Sequence, residues 1–358
     1  MPKPKPITFP RDHGAHNNII EWWYFNGHLW DKAGKHYSFM DCLFKADLKR
    51  VKIPFLRRIP AQYIYFAHSV ISDIKAQKSY KEIQDVSLVS RDSFQRPLLY
   101  VNYIDPIILR GYANCEIAQI KPEKFHIKTE NIDLELEMKK DPLLESGQGH
   151  ITVCGRESYY YSLTDMSARG IINIKGEPIE VAGKAWLDHQ WADVAYSKDR
   201  WNWFSLQLSD GTDIMCVEYD DGKNKDYLAD IIYADGRQEH LKNFTLTPGK
   251  QVWKSKKTKA EYPQSWTISM PEKNMRFEVR SLLPNQEMIF GAINYWEGPL
   301  EVRAEVAGKK ISGAGFMELV GYPSDYSYLL LAGNELRHKI QRKIEESGRK
   351  IFRKIGWK

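Results

Sequence analysis

Four ionisable residues stand in two aromatic-rich segments of this 358-residue chain. Glu21 and His28 lie in Glu21-Trp-Trp-Tyr-Phe-Asn-Gly-His-Leu29, and Asp188 and His189 lie in Gly183-Lys-Ala-Trp-Leu-Asp-His-Gln-Trp191. Around them are Trp22, Trp23, Tyr24, Trp186 and Trp191, which make candidate ligand-binding surfaces together with His28. A carboxyl group desolvated by such rings has its pKa raised and can stay protonated near neutral pH, where it serves as a general acid. Protonation of an unactivated double bond by that acid gives a carbocation, which indole faces stabilise by cation–π attraction while a second group acts as base to a captured water. Each residue also has a structural reading. Trp and Tyr at alternating strand positions commonly fill a core, Glu21 can bridge buried backbone at a barrel mouth, and Asp188 and His189 can be a hydrogen-bonded pair. Neighbours on a regular strand point to opposite faces, so at most one of Asp188 and His189 faces a given cavity unless a bulge intervenes.

Other chemistries lack their signatures. There is no G-x-S-x-G elbow, H-E-x-x-H helix, Walker-type loop or G-x-G-x-x-G turn, so nucleotide use is not expected. His13-x-x-His16 places two imidazoles on one helical face, but no third ligand is in view and neither a metal nor another cofactor is expected. The four cysteines, Cys42, Cys115, Cys154 and Cys216, are far apart with no C-x-x-C pair, and read as free thiols.

The elements that must position these residues read as strands. Ile132-Asp-Leu-Glu-Leu-Glu-Met138 alternates apolar and acidic residues, and Trp203–Leu208 and Trp266–Met270 alternate similarly, the pattern of strands with one wet and one packed face. Asp210-Gly211, Asp221-Gly222 and Asp235-Gly236 supply the positive φ of tight turns. Rings make up 13% of the chain, which favours strands and lined pockets. The length calls for two cores, and closed antiparallel barrels remove exposed edges. The fold class expected is therefore all-β, with one barrel over 1–195, a second over 196–325 and a tail over 326–358.

In that tail Leu336, Ile340, Ile344, Ile351 and Ile355 fall on one stripe of a basic amphipathic α-helix,. Residues 334–358 carry the excess charge of the chain, so a diffuse nucleic-acid surface is not expected. An anionic membrane surface is a candidate partner, through 334–358 and through Lys49-Arg-Val-Lys-Ile-Pro-Phe-Leu-Arg-Arg58,. The start, Met1-Pro-Lys-Pro-Lys-Pro6, has no apolar h-region, and no apolar run reaches the ~20 residues of a membrane span,. A cytoplasmic location is expected, with peripheral attachment to the inner face of the membrane.

The two aromatic segments resemble the signatures of the carotenoid 1,2-hydratase/AttH family. Tyr295-Trp-Glu-Gly298 and Gly313-Ala-Gly-Phe-Met-Glu-Leu-Val-Gly-Tyr322 resemble its C-terminal part, so the likeness runs from about residue 10 to 322. The resemblance implies two lipocalin-like barrels packed together, with a ligand cavity that draws on the signature residues. It also implies cofactor-free chemistry on a hydrophobic isoprenoid or polyene. Family members hydrate carotenoid double bonds or cyclise polyenes. Where carotenoid hydratases carry Tyr-x-Asp, this chain reads Cys216-Val-Glu218: the acid is kept and the phenol lost. Catalytic candidates are thus Asp188, His189, Glu21 and Glu218, although Glu218 also reads as a surface carboxylate near a turn. A hydratase is the first expectation, and a cyclase or isomerase and a non-catalytic carrier of apolar ligands are the alternatives.

Overall fold

The alternating segment Ile132–Met138 is a strand with Ile132, Leu134 and Leu136 buried and Glu135 exposed, and the same logic organises the whole chain. The computed structural model describes residues 4–50, 61–94, 98–104, 115–194, 199–290 and 293–325. The first sheet is built from β1 Ile20–Asp31, β2 His36–Asp47, β3 Tyr63–Asp73, β4 Lys78–Val89, β5 Tyr100–Ile104 and β6 Cys115–Lys121. It continues with β7 Lys124–Lys128, β8 Ile132–Met138, β9 Leu143–Leu144, β10 His150–Val153, β11 Arg156–Ile174 and β12 Glu177–Ala192. The chain then crosses to β13 Arg200–Leu208, β14 Asp213–Asp220, β15 Lys225–Ile232, β16 Gln238–Leu241, β17 Thr245–Pro248 and β18 Val252–Lys254. The last strands are β19 Glu261–Pro263, β20 Ser265–Met270, β21 Met275–Ser281, β22 Glu287–Phe290, β23 Ile293–Val306 and β24 Lys309–Val320.

In the first sheet the path runs β11-β12-β1-β2-β3-β4-β5-β6-β7-β8, and β8 pairs back onto β11, which closes an antiparallel barrel. The two signature segments lie side by side as β1 and β12, with Trp23 opposite His189 and Tyr24 opposite Asp188. Gly183 permits this approach, since a Cβ there would meet the His28 carbonyl oxygen at 2.0 Å.

The second sheet runs β16-β15-β14-β13-β24-β23-β21-β20-β17. Gly211, Gly222 and Gly236 take positive φ in the hairpins that join β13 through β16. The ends β16 and β17 form no ladder with each other among the described residues, so this half is not closed by hydrogen bonds as the first is. Leu241, Phe244 and Leu246 from those ends nevertheless enter the same core as Phe204, Ile268 and Met317, so the sheet curls around its own interior. A third apolar cluster lies between the halves, with Tyr24, Met40 and Trp186 from one side and Trp203, Met215 and Phe316 from the other.

The expected helix and membrane contact at 334–358 lie outside the described residues, as do residues 51–58 of the basic segment and the expected boundary at residue 195. Of that segment, Arg50 is paired with Asp47 and Asp193. No helix among the described residues is long and apolar enough to cross a membrane. All four cysteines are free thiols.

Candidate active site

Strand alternation divides the signature residues between two environments. Glu21, Trp23, His189 and Trp191 point into the first barrel, whereas Trp22, Tyr24, His28, Trp186 and Asp188 point toward the second half of the molecule. Asp188 and His189 therefore belong to different polar clusters.

Inside the barrel, Glu21 is saturated with partners. Lys45 Nζ lies 2.8 Å from Oε2, His16 Nδ1 2.8 Å and His189 Nε2 3.0 Å from Oε1, and the His16 backbone N–H donates at 2.9 Å. Burial opposes ionisation of Glu21, but the hydrogen bonds from His16 and His189 and the charge of Lys45 prevail and hold it well below the usual carboxylate range,. Where the aromatic surround suggested a carboxyl kept protonated, these partners favour the ionised form of Glu21. Its neighbour His189 is pushed down to about 4, burial outweighing the attraction of Glu21, and its other ring nitrogen lies 3.2 Å from the Tyr161 hydroxyl. Trp191 stacks on His16 at 3.8 Å, and Trp23 stacks on His189 and donates to the His13 carbonyl at 2.9 Å. Among the described residues, His16, Glu21 and His189 are the group able to hold a metal ion, with ligand atoms within 4.8 Å of one another. Lys45 already supplies the positive charge at that point, so the arrangement is complete without one.

Between the two halves the chemistry differs. Asp188 accepts from Tyr160 Oη at 2.6 Å on Oδ2, and from Ser162 Oγ at 2.5 Å and Trp186 Nε1 at 2.6 Å on Oδ1. Tyr160 in turn accepts from Trp203 Nε1 at 2.9 Å, a bond from the second sheet that aims the phenol proton at Asp188. Burial raises Asp188 to about 6, and the three donors keep it from rising further. Across from it, on β23 and β24, stand Glu297 and Glu318. Glu318 accepts from Trp201 Nε1 at 2.5 Å and is raised to about 7, by burial first and by Asp188 second. Glu297 is pushed well above its ordinary range by burial and then by Glu318. The Tyr24 phenol lies close enough to influence Glu297, yet the pair closes no hydrogen bond of good geometry, and Glu297 Oε1 has no partner among the described residues. No Lys, Arg or His among the described residues forms an ion pair with Asp188, Glu297 or Glu318. Trp203 meets Tyr24 and Trp186 edge to face, at 5.6 and 6.4 Å. The result is a ring-lined group of carboxyls whose pKa values are spread apart, a feature common where proton transfer is catalysed.

Two sequence candidates serve elsewhere. His28 contacts the Gly315 carbonyl at 2.9 Å and His36 at 3.0 Å, and burial lowers it to about 4, so it ties the two sheets together. Glu218 is on the opposite face of β14 from the interface residues Met215 and Val217. It contacts Asn202 at 3.1 Å and Tyr227 at 2.9 Å and is not brought to Asp188, because residues one apart on a strand diverge,. Glu297, Glu318, Tyr160 and Ser162 were not singled out from sequence. Their signal was present: Glu297 and Glu318 are lone acids within the two C-terminal stretches of family likeness, and Tyr160 and Ser162 sit in Ser158-Tyr-Tyr-Tyr-Ser162. Two surface grooves, of about 520 Å³ by Phe125 and Ala168 and about 260 Å³ by Trp266 and Val279, lie away from this cluster.

Comparison with known proteins agrees with this architecture. A curated relative, the dehydratase asqC of Emericella nidulans, is 23% identical over 225 residues, 59% of this chain; the match spans 63% of that protein's length. An AttH protein of Nitrosomonas europaea superposes with a TM-score of 0.72 at 24% identity, covering 89% of this chain and 98% of its own. Kievitone hydratase from Nectria haematococca superposes with a TM-score of 0.69 at 16% identity, covering 88% and 93%. These two likenesses establish the fold. The family model described as AttH-like matches residues 1–322, and the chain belongs to the AttH-like family.

Proposed function

We propose that this chain is a cofactor-independent hydro-lyase that adds water to, or removes it from, an apolar isoprenoid or polyene between its two halves. The observation that carries this reading is the buried carboxyl cluster of Asp188, Glu297 and Glu318, set among indole and phenol rings with no cation of the described residues paired to any of the three. Relatives that are a dehydratase and a hydratase support the reaction class. Glu297, pushed well above its ordinary range, holds the proton and gives it to one carbon of the double bond. The cation that forms on the neighbouring carbon is stabilised by Trp186 and Trp203. Water attacks that carbon, and its proton passes to Asp188, whose three donors favour the carboxylate; the cycle closes when Asp188 loses that proton and Glu297 regains one. Run backwards, the same steps are dehydration: Asp188 returns the proton to the departing hydroxyl, and Glu297 takes a proton from carbon.

The test is a panel of isoprenoid and polyene alcohols and alkenes, with gain or loss of one water read by mass spectrometry. Asp188→Asn and Glu297→Gln are each expected to lower turnover by roughly 10²–10⁴-fold, while retaining the wild-type circular dichroism. In wild type, kcat/KM for hydration of an alkene should rise with pH through about 6 as Asp188 ionises, and kcat/KM for dehydration of an alcohol should fall. Undiminished turnover in both variants overturns the mechanism. Products isomeric with the substrate would point to a cyclase or isomerase, and binding without conversion to a carrier.

A further inference from the structure

Asp188 is fully buried, yet each cycle of hydration leaves a proton on it that has to depart. One row of side chains leads away from it. Ser162 Oγ lies 2.5 Å from Asp188 Oδ1 and 2.7 Å from Glu145 Oε1. A hydroxyl has one proton, so both contacts are hydrogen bonds only if one of the carboxyls carries a proton too. Glu145 faces Asp230, which comes from β15 of the other half. Glu145 Oε2 and Asp230 Oδ2 have no hydrogen-bond partner among the described residues, the Ser146 backbone N–H brings Asp230 beside Glu145, and a proton shared by the two carboxyls would satisfy both. Burial, and then the Asp230 charge, push Glu145 well above its ordinary range, which makes it the member that holds that proton. Asp230 Oδ1 accepts from the Ser146 backbone N–H at 3.0 Å and lies 3.2 Å from His240 Nδ1. The His240 side chain is 28% exposed. Glu145, Ser162 and Asp188 belong to the first half, Asp230 and His240 to the second, so the row exists only where the halves meet.

We propose that Ser162, Glu145, Asp230 and His240 form a proton path between Asp188 and solvent. This rests on the reading of Asp188 as a group that gains and loses a proton in the reaction. In the outward direction Asp188 passes its proton to Ser162 Oγ as the Ser162 hydroxyl proton moves to Glu145. Glu145 releases one from its other oxygen to Asp230, and Asp230 hands one to His240 Nδ1 as His240 loses one from its other ring nitrogen to water. One proton enters, one leaves, and each intermediate group regains its starting charge; rotation of the Ser162 hydroxyl and the carboxyls and a tautomer change at His240 then restore the starting arrangement. Ser162, Glu145, Asp230 and His240 are positioning residues in this scheme, because none needs to touch the substrate.

The path can be tested on the full chain with no substrate. The carboxylic C=O stretch of Asp188 is assigned by infrared difference between wild type and Asp188→Asn at about pH 5, below the value of about 6 for this group. Its shift on rapid transfer to D₂O then times proton exchange. Exchange in Ser162→Ala and in His240→Gln is expected to be slower than in wild type by roughly 100-fold, the scale on which a positioned proton donor acts. His240→Gln lies at the exposed end of the row, so it keeps the test open if Ser162→Ala folds poorly. Unchanged exchange in both variants overturns the path and leaves the function reading standing. If wild type shows no Asp188 band at about pH 5, both fall, because Asp188 would already be ionised there and not the group raised to about 6 on which they rest.

Discussion

Asp188 and Glu21 are both buried carboxyls on the signature strands, and their surroundings push them in opposite directions. Glu21 has a cation and imidazoles, so its ionised form is stabilised, and that contribution is lost as pH falls below its ordinary range,. Asp188 has donors but no cation among the described residues, and its folded pKa of about 6 lies above its ordinary 3.8. The stability it contributes is therefore complete below about pH 4 and disappears as pH rises through about 6. Two pKa units amount to about 3 kcal/mol. Urea midpoints measured between about pH 4 and 8 should show wild type losing stability on the alkaline side relative to Asp188→Asn. Parallel curves for the two proteins would mean that Asp188 is ionised throughout.

At the scale of the element, the signature strands are built for close contact as much as for chemistry. β1 pairs along its whole length with residues 181–192 of β12, and β12 also pairs with β11, which delivers Tyr160 and Ser162 to Asp188. A Cβ at residue 183 would meet backbone, the His28 carbonyl, at 2.0 Å, and backbone cannot move aside as a flexible side chain can. Gly183→Ala should therefore cost about 1–3 kcal/mol and displace β1 from β12 near His28, seen as faster hydrogen exchange at the amides of both strands. A Gly183→Ala protein with wild-type stability and protection would show that the ladder tolerates the added atom and that the glycine has another purpose.

For the whole molecule, the seam between the halves is an apolar core that also holds the proposed site. Gln207 donates to the Thr164 and Ala185 carbonyls at 2.6 and 3.2 Å, and Lys140 meets Asp213 Oδ2 at 2.6 Å. Asp213 is raised to about 6 by burial even with Lys140 beside it. Removing one partner of such a buried pair is expected to cost about 3 kcal/mol. Because the apolar cluster at the seam is shared, Lys140→Ala should move a single unfolding transition, with tryptophan fluorescence and far-ultraviolet circular dichroism remaining coincident. A variant in which the two probes separate would show that the halves fold independently and that the seam is a weak contact.

Alternation and turn residues are local properties, which is why sequence alone settled the all-β class, the strand at Ile132–Met138, the hairpins at Gly211, Gly222 and Gly236, and the divergence of Asp188 from His189. The family likeness was equally legible, because it resides in contiguous runs of residues. The composition of the site was not. Strand pairing and packing bring Glu297 and Glu318 from more than a hundred residues away to face Asp188, and no period in the sequence encodes that meeting. Period two told which residues share a face but not which face meets the other half of the molecule, so Glu218 was grouped with Asp188 although it lies on the far side of its strand. The protonation states followed last. A carboxyl in an aromatic segment is an acid or a saturated anion according to whether a cation such as Lys45 is packed beside it, and that was decided by the tertiary structure, because desolvation and charge act through space.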